Sequence, residues 1–386
     1  VIVGGTSARG VVSAASYEAR KFGVRSAMPG FRARELCPHG VFLAPDMAKY
    51  AKVSDDVHQV FERFSPDIEP LALDEAFVDI SGSVGLFGGP LELGRRLKRE
   101  VREQVGLVVS VGIAPSKLVA KLACTLSKPD GFLYVPEEAV RPLLDPLPVR
   151  KLWSVGPVLE ERLVGWGIHT IGQLARYDAR KLAVLLGDRA PFLQRLARGE
   201  DSRDVEAALA AKSYGEENTF LVDVKDRDAV TAALTSHAES VARRLRNQGH
   251  KGRTVVLKIK LAHARRKRTS RIDPNIQEPV YPLLTRSRTL PTATDDGKHI
   301  RDVAVDLWDA AGIQESVRLL GVTVTNIEEP AMEQLDLFSA KEKAKSDRLG
   351  PTLDAITAKF GKGVIDRAVD APEKATASDR RKKGDD

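Results

Sequence analysis

The sequence predicts a multidomain α+β fold. Strand-like alternation and helix-like periodicity both recur along its 386 residues, a length beyond what a single core usually organises. Breaks separate the patterned stretches: a Pro-bearing segment at Asp145–Leu152, with Pro146 and Pro148, and a polar one at Asp201–Ala211.

Taken from the N-terminus, the first chemically suggestive element is a helix start at Ser16, followed by Tyr17-Glu-Ala-Arg20. Tyr17 and Arg20 are three apart and share a face, where a phenol and a guanidinium can grip a phosphate. The plainer reading is an exposed Arg20 and a half-buried Tyr17. Leu71-Ala-Leu-Asp74-Glu75-Ala-Phe-Val-Asp79 is apolar enough for a strand, yet it holds two adjacent carboxylates. Neighbouring side chains of a flat strand point to opposite faces, so Asp74 and Glu75 can share one ion only at a bend, a bulge or a hairpin turn. Such a pair suits magnesium, which takes oxygen ligands and keeps positions for water and phosphate. The plainer reading is a polar turn between two strands.

Val108–Ile113 has the β-branched, apolar character of a buried strand, and Ala114-Pro-Ser-Lys117 then opens a helix. Leu118, Leu122 and Leu126 fall on one face of that helix, and Lys117 and Lys121, four apart, lie together on another. The helix stops at Lys128-Pro-Asp-Gly131, a strong turn signal. Further on, Val149–Pro157 and Leu163–Leu174 have the pattern of a helix-hairpin-helix. Glycine turns at Gly156 and Gly167 would expose backbone N–H groups to a phosphate at a helix N-terminus. A plain helical bundle with glycine caps is the alternative.

Between Ser240 and Ile272 there are twelve Lys or Arg residues and no Asp or Glu. Within that stretch, Val255, Leu257, Ile259 and Leu261 alternate with Thr254, Val256, Lys258 and Lys260. The pattern is that of a half-buried antiparallel strand with a basic outer face. Arg253, Lys258 and Lys260 are its candidate contacts to a nucleic-acid backbone, which such a face can track by releasing counterions. A last strand reads at Leu319–Thr325, ending about Asn326, and a short helix at Pro351–Asp366; the charged end from Ala371 has a disordered composition.

Composition narrows the function classes. The net charge is +7, which favours a polyanionic partner. No apolar run is long enough to span a membrane and no secretion signal opens the chain, so the expected location is the cytoplasm. Two cysteines, Cys37 and Cys124, are too few for a disulfide framework, and the seven histidines show no zinc spacing with them.

Taken together, these stretches resemble the Y-family lesion-bypass DNA polymerases, most closely the bacterial DNA polymerase IV (DinB-type) branch. The matching segments are Ser16–Pro29, Ser65-Pro66 with Glu69–Asp79, and Ser110–Ile113 through Lys128–Gly131, in the family's order and spacing. The resemblance covers about residues 1–338 and implies a right-hand polymerase. Palm and fingers would span 1–149, with fingers about 8–55, the helix-hairpin-helix thumb 150–205 and an α/β little finger 211–330. It implies translesion synthesis from primer–template DNA and dNTPs by a monomer in the SOS response. Asp74 and Glu75 would hold two Mg2+ ions as catalytic carboxylates, and Tyr17, Arg20 and Lys128 would contact the incoming triphosphate. Gly156, Gly167, Arg253, Lys258 and Lys260 would contact DNA.

Gln334-Leu335-Asp-Leu337-Phe338, within the segment 331–338, resembles the motif by which bacterial polymerases dock on the sliding clamp. Leu337 and Phe338 would fill an apolar pocket, with Gln334 and Leu335 completing the contact. Residues 339–386 are expected to form a C-terminal helix and charged tail. The family's first strand carries a further metal-binding aspartate and an aromatic sugar gate. Val1–Gly5 matches the strand that follows it, and no such pattern precedes it here. A truncated polymerase or a non-catalytic, clamp-bound DNA-binding paralogue is therefore the alternative expectation.

Overall fold

An apolar Ile-Val-Gly run forms β1 (Ile2–Gly4), which pairs antiparallel with β2 (Val12–Ala15) and parallel with β3 (Phe42–Leu43). The computed structural model describes residues 1–207, 210–268, 277–328, 350–356 and 359–361. Two units divide the chain, one of Val1–Pro45 with Ala210–Asp386 and one of Asp46–Leu209. Between β2 and β3 lie two short helices, α1 (Tyr17–Lys21) and α2 (Gly30–Leu36). Ser16 caps α1 by accepting from the Ala19 amide at 3.3 Å, which fixes the helix start at Tyr17. A small core including Ile2, Val12, Val24 and Ala33 joins these elements.

The unit Asp46–Leu209 begins with α3 (Met47–Phe61), the hairpin β4 (Ile68–Ala72) and β5 (Glu75–Val78), and α4 (Pro90–Val105). It continues with β6 (Val111–Ile113), α5 (Lys117–Ser127), β7 (Phe132–Tyr134) and α6 (Glu137–Leu144). Four further helices close it: α7 (Pro157–Gly165), α8 (Ile171–Arg176), α9 (Ala179–Leu186) and α10 (Arg189–Arg198). One core joins Val60 of α3 to Leu93, Leu97 and Val101 of α4. A larger one runs from Leu118 and Leu122 of α5 through Leu163, Ile171 and Leu182 to Leu193. Leu126, expected on the same face as Leu118 and Leu122, is exposed, being in the last turn of α5 beyond that core. Gly112 lets α5 sit directly on β6, since a Cβ there would lie 2.2 Å from the Ala120 carbonyl and 2.3 Å from the Cys124 amide.

From residue 210 the chain returns to the first unit as β8 (Ser213–Val224), α11 (Arg227–Asn247), β9 (Lys251–Leu261), β10 (Arg265–Arg268) and β11 (Gln277–Val280). It ends there with β12 (Leu283–Thr294), α12 (Gly297–Ala311) and β13 (Val317–Glu328). The main sheet has the order β12-β9-β13-β8, every neighbouring pair antiparallel. Strand β13 thus lies between the parallel strands β8 and β9, and β9 between β12 and β13. Each helix closes one of these crossovers. Val255, Leu257, Ile259 and Leu261 of β9 are buried in one core with Leu234, Val241 and Leu245 of α11 and Ile300 and Leu307 of α12. Residues 1–45 are tied to this layer through Arg9, whose guanidinium donates to the Phe220 carbonyl at 2.8 Å and to Asp223 at 2.5 Å. The helix expected at 351–366 is described over 350–356 and 359–360. There Asp354 accepts two hydrogen bonds from Arg246, at 2.7 and 2.9 Å.

Histidine 237, buried in α11, has a consequence for stability. Its Nδ1 lacks a hydrogen-bond partner among the described residues, and burial holds its pKa below 6.5 against the pull of Glu216 and Glu217. The unfolded chain therefore binds the proton more readily than the folded one. Stability is complete above the unfolded value near 6.5 and falls as pH drops from there through the lower folded value. We expect the midpoint of thermal unfolding to decrease between pH 7.5 and 5.5. The decrease should be smaller in His237→Leu; an equal decrease in both would remove His237 as its source.

Candidate functional site

The two carboxylates sit at a hairpin turn, a position that both readings of the acidic pair allow. Leu73 and Asp74 form the exposed turn of the β4–β5 hairpin, Ala72 faces Glu75, and a register shift falls between Pro70 and Ala72. Turn and bulge together break the strict alternation of a strand, so neighbouring acids need not point apart. Asp74 is exposed and Glu75 half-buried. Two hard oxygen donors with access to water are the donor set that suits magnesium, which binds through one or two carboxylates plus substrate phosphates. Among the described residues, no group of three or more His, Cys, Asp or Glu side chains is placed to hold a metal.

Helix α5 brings a row of lysines to this hairpin. Lys121 donates to one carboxylate oxygen of Glu75 at 2.5 Å, and Lys128 approaches the other at 3.7 Å. The Lys121 hydrogen bond is the main reason the Glu75 carboxyl is held below its usual range, outweighing burial. Lys128 is the C-cap of α5, just before the Pro129–Gly131 turn. Lys98 of α4 anchors that turn, donating to Asp130 Oδ1 at 2.8 Å and to the Val109, Asp130 and Gly131 carbonyls at 2.7–3.0 Å.

One helical turn before Lys121, Lys117 forms an ion pair with Glu69, and both side chains are less than a tenth exposed. The Glu206 amide donates to the same carboxylate at 2.9 Å. Burial works to raise the Glu69 pKa, but the Glu206 amide and Lys117 overcome it and hold the carboxyl below its usual value. Nearby, Asp201 accepts from the Leu118 amide at the start of α5 and from Arg203, whose guanidinium lies 4.6 Å from the Trp153 ring. The segment after α10 is thereby bound to α5 and to the hairpin that carries the acidic pair.

Tyr17 and Arg20 lie in the other unit. Both are exposed on α1, with the guanidinium 5.0 Å from the ring centroid, and Arg20 Nε donates to the Ala15 carbonyl at 3.0 Å. The remaining guanidinium nitrogens are the part that could grip an anion.

The predicted nucleic-acid contacts fall in two places. Gly156 is the N-cap of α7 with open space around its Cα, and Gly167, at φ +78°, makes the turn between α7 and α8. That positive φ favours glycine. The turn borders an open cavity of about 400 Å³ that Arg176 and Lys181 also line. On β9, Lys258 and Lys260 lie on the face opposite the buried Leu257 and Ile259. Lys258 pairs with Glu217 at 2.6 Å, while Lys260 lies 6.0 Å from the Tyr281 ring, which Arg318 also approaches at 4.1 Å. Arg253 pairs with Glu328 at 2.5 Å. Gln334, Leu335, Leu337 and Phe338, and the tail from 362, lie outside the described residues.

Sequence reasoning noted Lys117 and Lys121 as neighbours without a task, and it missed Glu69, Lys98 and Glu217. The four-residue spacing of Lys117 and Lys121 beside the hairpin acids was the available signal. Lys98 and Glu217 carried none, because their partners are far away in the chain.

Family models agree with this layout. The impB/mucB/samB family matches residues 1–125, that family's C-terminal domain residues 211–337, and the IMS family HHH motif residues 137–168. DNA polymerase IV of Desulfatibacillum aliphaticivorans is 39% identical over 371 residues, 95% of this chain and 89% of that protein. DNA polymerase IV of Streptomyces coelicolor is 39% identical over 348 residues, 89% of this chain and 69% of that protein. Among solved structures, a Y-family DNA polymerase chimera aligns with a TM-score of 0.71 at 24% identity, over 86% of this chain and 92% of the other. DinB from Sulfolobus solfataricus aligns with a TM-score of 0.55 at 24% identity, over 85% and 92%. These two likenesses are of fold.

Proposed function

The chain belongs to the impB/mucB/samB family and is a DNA-directed DNA polymerase of the Y-family, DinB type; from that premise we propose that it extends primers on template DNA with dNTPs through the Asp74–Glu75 hairpin. The observation that supports this reading is the hairpin turn at Leu73–Asp74, next to Glu75, whose carboxylate meets Lys121 and Lys128 of α5. Two magnesium ions held by Asp74 and Glu75 would help ionise the primer 3′-hydroxyl and neutralise the triphosphate. Lys128, fixed by the Lys98-anchored turn, would offset the negative charge that builds on the phosphates. Tyr17 and Arg20 would contact the incoming triphosphate, Arg20 by a forked contact. Domain roles follow the sequence segments: palm and fingers 1–149, thumb 150–205, little finger 211–330.

Primer extension with Mg2+ and the four dNTPs tests this reading. Template-directed extension supports it. Duplex binding without extension would favour the second reading, a non-catalytic DNA-binding paralogue.

The sheet face of the C-terminal domain would track the DNA backbone. Lys258 is already neutralised by Glu217, so Lys260 should contribute more. We expect Lys260→Ala to weaken primer–template binding more than Lys258→Ala, with the salt slope of log K falling by about 0.9 per lost phosphate contact. Glu217→Gln, which frees Lys258, should tighten binding. Fluorescence anisotropy between 50 and 200 mM salt reads all three. Unchanged affinity and salt slope in both lysine variants would remove this face from the interface.

The Gln334–Phe338 segment would tether the enzyme to a sliding clamp. Replacing both Leu337 and Phe338 by Ala should weaken clamp binding at least about thirtyfold, the scale of one lost anchor residue, while clamp-free extension is unchanged. Calorimetry with the purified clamp reads the first effect and extension assays the second.

A further inference from the structure

The reading above gives Lys121 no chemical role, yet its ammonium is hydrogen-bonded to a proposed metal ligand. It lies one turn after Lys117 in α5, whose buried pair with Glu69 joins the same helix to the same hairpin. The next lysine on the same face then arrives at Glu75, 2.5 Å from Oε2, while Lys128 stands 3.7 Å from Oε1. Each oxygen of Glu75 therefore faces an ammonium group. Magnesium needs a carboxylate oxygen at about 2.0–2.1 Å, and an ammonium already bonded to that oxygen would sit beside it with like charge.

We propose that Lys121 is a positioning residue that competes with the divalent ion for Glu75. It holds the carboxylate turned toward α5, keeps it neutralised until metal arrives, and is then displaced. This rests on the reading of Glu75 as a metal ligand. Lys121 and Glu75 are each about a third exposed, so the lysine can swing away without leaving a buried charge behind.

The test is titration of the full chain, without DNA or nucleotide, with manganese(II) chloride, following free Mn2+ by electron paramagnetic resonance. Lys121→Met should bind Mn2+ about fivefold more tightly than wild type, the scale of a partly exposed ion pair lost as a competitor. Lys121→Arg, which keeps the charge, should bind as wild type does and controls for folding. Glu75→Gln should bind more weakly. If Glu75→Gln loses affinity while Lys121→Met binds no more tightly than wild type, competition by Lys121 is overturned. If Glu75→Gln binds as wild type does, the metal-ligand reading fails, and the inference with it.

Discussion

Primer extension by Asp74→Asn should fall by about a thousandfold relative to wild type, with primer–template binding retained. A carboxylate that holds the divalent ions supports several kcal/mol of transition-state charge stabilisation, and about 4 kcal/mol corresponds to a thousandfold in rate. Asparagine keeps the size of the side chain and loses its charge. Asp74 lies exposed at the hairpin turn, so the substitution leaves no buried group unpaired and should not disturb the fold. Single-turnover extension gives the rate, and anisotropy on the same duplex gives the binding. An Asp74→Asn enzyme extending within a few fold of wild type would place the reaction elsewhere. Glu75→Gln is expected to lose as much, whereas Lys128→Met should mainly raise the dNTP concentration needed for half-maximal rate.

Lys117→Met should destabilise the unit Asp46–Leu209 by about 3–5 kcal/mol, because it leaves the Glu69 carboxylate buried without its cation. The Glu206 amide would remain its hydrogen-bond donor, too little to compensate a buried negative charge. The double variant Lys117→Met with Glu69→Leu should recover much of the loss, since an apolar pair of similar volume avoids the desolvation of two charges. Denaturant unfolding with an unchanged m-value separates these outcomes. A loss under 1 kcal/mol in the single variant would show that the pair adds nothing beyond a surface contact. The same pair predicts acid sensitivity. The folded pKa of Glu69 lies below its ordinary value of 4.5, so its contribution is complete above about 4.5 and is lost as pH falls through the folded value.

Much of the fold was legible because it depends on neighbours in the chain. Ser16 reads as a cap and caps α1. The alternation in β9 separates Leu257 and Ile259 from Lys258 and Lys260 with no reference to the rest of the protein. A shared ion would need the acidic pair at a bend, a bulge or a turn, and the hairpin has a turn at Leu73–Asp74. Other features were not legible. The insertion of β13 between β8 and β9 pairs Gly321 with both Lys258 and Glu217, and no local periodicity encodes such a partner. Glu217 on Lys258 and Glu328 on Arg253 change the effective charge of a strand whose own sequence reads as uniformly basic. The pairings of Lys117 with Glu69 and of Lys121 with Glu75 join residues more than forty positions apart.

The sequence by itself determined the start of α1, the hairpin turn at the acidic pair, the two faces of β9, and the family whose chemistry that pair suggests. Caps, turns and hydrophobic periods act over a few residues and can be read in one dimension. The tertiary structure alone decided which lysine meets which carboxylate, and that Lys258 and Arg253 on the sheet are compensated by Glu217 and Glu328. An ion pair depends on two side chains being brought within a few ångströms of each other. For partners this distant in the chain, only the packing of α5 on its hairpin and of β13 between its neighbours sets that distance.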